Sequence, residues 1–384
     1  MRGWLALLPA LGVMLGGCAR ESAAPALPAA PGPQPPQASI VFASPSPAGD
    51  QVVIGTLSGR LPMRGPGGGS AWPPDALWLI GLRTGQARQL PPELISMSWG
   101  LARAVHGSEL TWRPDGGAVA AVTSEQRIAV FDCAGEAARV ISPEDMRCRR
   151  PAWSPDGKRL LVEANTEDGT PFRSRTAGAS ARPGLYSLPA DGRVPPRFEG
   201  AGRSDLWYWN ADIARQTRQP RARSAASATP GQRVLDQIRR ANVRAYSPDR
   251  QYLAYSGTVG RYAAVIAVVD RSLTPLLVCD NLDAPAGLLL WSPDGTKLLG
   301  RTSRRQTHLL DLTARTAALV DDPVLSDREP VGWVRWNGKW QLAFIDETWK
   351  RLVITEKIGA PVYTLVTTKQ DATPVLALPV PKEN

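Results

Sequence analysis

The sequence predicts an all-β protein, a single β-propeller of four-stranded blades, and three observations lead there. A turn motif of an aromatic residue followed by Ser-Pro-Asp, usually with Gly after it, recurs along the chain. Successive copies are spaced by about the length of one blade. Thirteen Trp stand against two His, a balance that favours packing over acid–base or metal chemistry. The 384 residues are 43% hydrophobic and 21% charged, enough to bury a large core. The 36 Pro and 35 Gly fall between short apolar runs, as in a chain of many strands and tight turns.

The first element is an address. Arg2 gives a positive start, Trp4 to Leu15 form an apolar run, and Leu15-Gly16-Gly17-Cys18 follows at once. The run has the length of a signal peptide and is too short to cross a hydrocarbon core of about 30 Å as a helix. Small residues directly before a Cys resemble a lipobox, so residues 1–17 are expected to be a lipoprotein signal peptide. The resemblance implies that Cys18 is diacylated and becomes the mature N-terminus. The protein is then expected in the cell envelope, lipid-anchored to a bacterial membrane and facing the periplasm or exterior.

Residues 18–38 are a tether. Ala, Pro, Gly, Gln and Ser dominate, and Pro25, Pro28, Pro31, Pro33, Pro35 and Pro36 block helix and favour extended polyproline II. At about 3.1 Å per residue such a spacer reaches up to roughly 60 Å.

The blades follow over 39–370. Trp112-Arg113-Pro114-Asp115-Gly116 recurs as Trp153-Ser154-Pro155-Asp156-Gly157, as Tyr246-Ser247-Pro248-Asp249 and as Trp291-Ser292-Pro293-Asp294-Gly295. Weaker copies stand at Ser46-Pro47-Ala48-Gly49 and at Trp336-Asn337-Gly338-Lys339. Each precedes an apolar, strand-like run. The anchor aromatics lie 41, 45 and 45 residues apart between 112 and 153, 246 and 291, and 291 and 336, which suits a four-stranded blade. The interval from 153 to 246 is about two blades long, but Arg215 to Gly231 lacks the apolar runs a blade needs. Six blades with an Arg-rich insertion around 211–244 is the preferred reading, with seven blades as the alternative. Residues 371–384 read as a tail.

Turn chemistry explains the motif. Pro presets φ, Asp accepts hydrogen bonds from nearby backbone N–H groups, and Gly tolerates positive φ where the turn ends. Asp115, Asp156, Asp249 and Asp294 are therefore read as structural turn residues and not as paired catalytic carboxylates.

These repeats resemble those of the TolB-like, WD-repeat-like β-propeller family over most of the chain, from about residue 40 to 370. The resemblance implies the fold and says little about function. TolB proteins carry an α/β domain before their propeller, and nothing between Cys18 and Ile40 could form one. Prolyl-oligopeptidase-type peptidases also contain such propellers, but the Gly-x-Ser-x-Gly elbow of their hydrolase domain has no counterpart here.

Other constellations are weaker. Cys133 and Cys148 would close a loop of about 15 residues if joined by a disulfide, which an oxidising compartment permits. Cys279 reads as a small buried hydrophobe, and no Cys pair has zinc-ligand spacing. Arg64 to Ser70 is Gly-rich but lacks the Gly-Lys-Ser/Thr ending of a phosphate loop. The candidate binding surface is Trp207, Tyr208 and Trp209 with Arg215, Arg218, Arg221 and Arg223, where aromatics adjoin cations. A short helix is expected from Gln232 to Asn242, after Pro230.

The net charge of +10 comes from Arg spread along the chain without a recognition motif, so nucleic acid is not an expected partner. No catalytic residue, cofactor or metal is expected. The functional expectation is a membrane-anchored, non-catalytic binding scaffold for a protein, peptide or cell-envelope polymer. The alternative is a glycan- or peptide-processing enzyme with its site in the propeller channel. The sequence does not fix the oligomeric state.

Overall fold

The computed structural model describes residues 38–58, 74–95, 110–135, 137–164, 183–201, 230–259, 263–320, 328–369 and 374–376. The expected signal peptide, Cys18, the tether up to residue 37 and the Gly-rich segment at 64–70 lie outside the described residues.

Six antiparallel sheets follow one another along the chain, each a meander whose strands pair in sequence order. The first blade holds β1 (Ser39–Pro45), β2 (Gln51–Leu57), β3 (Ala76–Gly81) and β4 (Ala87–Gln89). The second holds β5 (Leu110–Trp112), β6 (Ala118–Val122), β7 (Ile128–Asp132) and β8 (Ala138–Val140). The third holds β9 (Cys148–Trp153), β10 (Arg159–Ala164), β11 (Gly184–Pro189) and β12 (Arg197–Gly200). After helix α1 (Pro230–Arg240) comes the fourth, with β13 (Val243–Tyr246), β14 (Tyr252–Val259), β15 (Ala263–Asp270) and β16 (Pro275–Leu282). The fifth holds β17 (Ala286–Trp291), β18 (Lys297–Thr302), β19 (Thr307–Asp311) and β20 (Thr316–Val320). The last holds β21 (Glu329–Trp336), β22 (Lys339–Ile345), β23 (Arg351–Thr355) and β24 (Tyr363–Thr368), with β25 (Pro374–Leu376) added at its outer edge. The protein is thus a six-bladed β-propeller, and β25 lies beyond the boundary at residue 370 that the repeats suggest.

The period-two alternation of side chains feeds two cores from the first, second, fourth and last blades. On β6, Val119 and Ala121 pack with Phe42, Val53 and Leu79 of the first blade. Ala118, Ala120 and Val122 pack with Trp153, Leu160 and Tyr186 of the third. These strands are apolar on both faces because both faces are covered, which is why they read as continuous runs (Ala118–Val122 is buried throughout).

One face of the fourth blade is covered differently. Val234, Leu235 and Ile238 on α1 pack on Leu253, Tyr255, Ala267 and Val269. The helix covers the face of this blade turned away from Ala254, Ile266 and Val268, which pack on the fifth blade. Among the described residues the long 153–246 interval holds the rest of the third blade and a packing helix. The helix ends where Arg244 donates from Nε to the Ile238 carbonyl at 2.8 Å and from Nη2 to the Arg239 carbonyl at 3.2 Å, satisfying carbonyls orphaned at its C-terminus.

Ring closure joins the first and last blades without sharing a sheet. Ile40, Val52, Ile54 and Ile80 enter one core with Val334, Trp336, Ala343 and Ile354. Backbone N–H groups of Ile40 and Arg335 donate to the carbonyls of Trp349 (2.5 Å) and Gly49 (2.6 Å). Thr368 Oγ1 donates to the Ala38 carbonyl at 2.8 Å.

Cys133 and Cys148, between which the sequence permits a disulfide, are both free thiols in the structure. The Cys133 N–H bonds to the Gly117 carbonyl and the Cys148 N–H to the Gln126 carbonyl, so the two thiols sit at opposite ends of β7. The sequence interval is short, but the strand between them holds them apart. Burial pushes the Cys133 thiol up to about 11 and that of Cys148 up to about 12. Among the described residues no helix is long and apolar enough to cross a membrane.

Candidate functional site: the two ends of the ring

The meander gives the ring two unlike ends. Connections from first to second and from third to fourth strands leave one end of every blade. Connections from second to third strands, and from blade to blade, leave the other. The former are short turns. The longest connections, 58–75, 90–109, 165–183 and 201–242, all leave the second end.

The repeated motif builds the turn end. In the third blade the Gly157 N–H donates to the Ser154 carbonyl at 2.9 Å, closing the turn. Ser154 Oγ donates to Asp156 Oδ1 at 2.5 Å and accepts from the Arg159 N–H at 2.9 Å, while Asp156 Oδ1 accepts from the Lys158 N–H at 3.1 Å. Ser247 with Asp249, and Ser292 with Asp294, repeat this geometry at 2.5 Å. In the second blade Arg113 replaces the Ser, and its Nε donates to Asp115 Oδ1 at 2.7 Å. The last turn position has positive φ throughout: Gly116 (76°), Gly157 (67°), Gly295 (69°) and, in the copy lacking Gly, Arg250 (57°).

Electrostatics agree with turn duty. The Arg113 guanidinium and then the Gly117 N–H hold Asp115 below the usual carboxylate range, and Ser154 and the Lys158 N–H do the same for Asp156. For Asp294 burial pushes upward, but hydrogen bonds from Ser292 and Thr296 outweigh it and the carboxyl is lowered. A general acid at neutral pH needs the opposite shift.

The anchor aromatics link blades. Trp112 Nε1 donates to the Ser44 carbonyl (3.2 Å), Trp153 Nε1 to that of Thr111 (3.2 Å) and Trp291 Nε1 to that of Ala245 (3.0 Å). Each acceptor lies one residue before the equivalent anchor position of the preceding blade. The Trp of the motif is thus a hydrogen-bonded link as well as apolar filling, a role the side chain's single N–H donor makes available.

At the other end, Trp207, Tyr208, Trp209, Arg215, Arg218, Arg221 and Arg223 belong to the 201–242 connection and lie outside the described residues. The described part of that connection is α1, whose Arg233 is exposed and whose Arg239 pairs with Asp236 at 3.6 Å. The expectation of a helix over Gln232 to Asn242 is met two residues earlier.

One polar cluster escapes sequence reading. In the seam between the fourth and fifth blades Cys279 Sγ lies 3.7 Å from His308 Nδ1. His308 is 2% exposed, and its Nε2, Thr307 Oγ1 and Asp283 Oδ1 have no hydrogen-bond partner among the described residues. Burial lowers the His308 pKa, and the Asp283 charge only partly offsets this. Cys, His and Asp together have the composition of a nucleophilic site, but an imidazole buried in a blade seam offers a substrate no approach. The only sequence signal was a His beside the apolar pair Leu309 and Leu310, where no motif accompanied it. Among the described residues no group of three His, Cys, Asp or Glu side chains is placed to hold a metal.

Comparison with known proteins gives one family match. Residues 63–137 match the model of the OAA-family lectin sugar binding domain. This stretch runs from the β2–β3 connection of the first blade to the β7–β8 turn of the second and stops short of β8, so it is not a separate structural unit. No curated protein matches the chain. Similar solved structures include a putative TolB from Agrobacterium tumefaciens, 16% identical over 78% of this chain and 95% of that one, with a TM-score of 0.42. Hydrazine synthase from Kuenenia stuttgartiensis is 14% identical over 82% of this chain and 76% of that one, with a TM-score of 0.39. The class of the chain rests on its own six sheets: a β-propeller.

Proposed function

We propose that the protein is a lipid-anchored lipoprotein of the bacterial cell envelope whose propeller is a non-catalytic scaffold binding an acidic envelope glycan. The observation that carries the ligand class is the lectin sugar-binding match over residues 63–137. Two further features support the reading. The longest connections leave one end of the ring, where variable loops on a rigid frame concentrate binding groups. One of them carries Trp207, Tyr208, Trp209, Arg215, Arg218, Arg221 and Arg223, aromatic and cationic side chains suited to sugar rings and their acidic groups. The anchor is read from Leu15-Gly16-Gly17-Cys18. Partners are thus the membrane, through the lipid, and an envelope polymer.

Two experiments test this. Changing Cys18→Ser is expected to move the protein from the membrane to the soluble fraction or to stall its processing; unchanged membrane association contradicts the anchor. Capture of the full-length protein, in detergent, on immobilised acidic envelope polysaccharide is expected to weaken at least tenfold when Arg215, Arg218, Arg221 and Arg223 are changed to Ser, and to weaken with salt. Undiminished capture by that variant contradicts the choice of surface.

A further inference from the structure

The last blade carries a cleft at the turn end of the ring, opposite to the proposed docking connection. It is open to solvent, has a volume of about 460 Å³ and is lined by Trp336, Asn337, Gln341, Ile354, Glu356 and Tyr363, among others. That volume falls in the range of small-molecule pockets. Trp336, Gln341 and Ile354 are buried, whereas Tyr363 is 52% exposed on the first residue of β24. Asn337 and Gly338, both at positive φ (52° and 75°), make the tight β21–β22 turn that brings Asn337 to the cleft.

The polar groups define what fits. Gln341 lines the cleft, and its Oε1, buried without a hydrogen-bond partner among the described residues, would meet a ligand's O–H or N–H donor once the side-chain amide turns outward. Glu356 is neutralised by Lys339, whose Nζ lies 2.8 Å from its Oε1, so the pair gives the cleft no net charge of either sign. Its carboxylate retains lone pairs for a hydroxyl, and Asn337 offers both a donor and an acceptor. Tyr363 presents an exposed ring beside these groups, able to take the C–H face of a sugar. An apolar ligand would leave the Gln341 acceptor unmet, and a cation would compete with Lys339 for Glu356.

We infer that this cleft is a binding site for one neutral pyranose unit. It goes beyond the docking surface proposed above and shares with it only the ligand class, using a different blade and the other end of the ring. The test measures binding of D-glucose, D-mannose and N-acetyl-D-glucosamine to the full-length protein in detergent micelles by saturation-transfer NMR, with D-glucuronate as the charged control. At least one neutral sugar is expected to bind, with affinity weakened roughly tenfold or more in Tyr363→Ala and in Gln341→Leu and largely kept in Tyr363→Phe. Glucuronate is expected to bind more weakly than glucose. Since Tyr363 is exposed, Tyr363→Ala keeps the fold, which an unchanged melting temperature verifies. Failure of all three sugars to bind, or binding that survives both Tyr363→Ala and Gln341→Leu, overturns the inference even where polysaccharide capture persists. Polysaccharide capture undiminished by the four Arg→Ser changes, with monosaccharide binding intact, instead overturns the docking proposal alone.

Discussion

At the scale of single residues, the Ser and Asp of each motif are tied to the same turn, and the energetic weight lies with the buried partner. Ser154 is buried and engages the Asp156 carboxylate and the Arg159 N–H, so Ser154→Ala is expected to cost about 1–2 kcal/mol, read as a lower urea midpoint with unchanged slope. The carboxylates add an acid limit. Asp115, Asp156 and Asp294 have folded pKa values below their unfolded ones, so their contribution is present above the unfolded carboxylate pKa of about 4 and is lost as pH falls below it. His308 acts earlier. Its folded pKa is also lowered, so between the folded value and the unfolded value of about 6.5 the unfolded chain binds the extra proton and stability drops as pH falls. Melting temperatures between pH 7.5 and 5 are expected to decline in the wild type and to flatten in His308→Gln; an unchanged slope in the variant contradicts this assignment.

At the scale of elements, α1 takes the place of a packed neighbour for the fourth blade. Ile238 is fully buried against that blade, and Ile238→Ala is expected to destabilise by about 2–5 kcal/mol in chemical denaturation. This is also where sequence legibility changes. The blades could be read because Pro, Asp and Gly each have one physical task in a turn and because Trp marks the strand before it. The helix could be anticipated from Pro230 and the spacing of Val234, Leu235 and Ile238, but not its partner, since nothing local says which face of which blade stands bare. The separation of Cys133 from Cys148 was hidden for a related reason: sequence distance measures the loop, and β7 sets the real separation. The cleft beside Tyr363 was invisible because its residues come from the β21–β22 turn, from β22 and β23 and from the start of β24, which only pairing brings together.

At the scale of the whole molecule, six sheets become a ring because the first and last blades share a core. The contact is close at Gly49. A Cβ there, at φ 71°, would lie 2.1 Å from the Trp340 ring and 2.7 Å from the Arg335 backbone nitrogen. At Gly338, φ 75°, a Cβ would meet nothing within 4 Å. Gly338→Ala is therefore expected to cost about 1 kcal/mol from backbone strain alone, and Gly49→Ala at least about twice that, because closure itself is disturbed. Equal losses of melting temperature in the two variants would contradict closure at this point.

The scaffold reading is tested most directly by titrating the full-length protein, in detergent, with soluble fragments of envelope glycan in a calorimeter and then weighing the recovered fragments by mass spectrometry. Saturable binding with fragments returned intact is the expected result. Fragments that do not bind, or that come back cleaved, would contradict it.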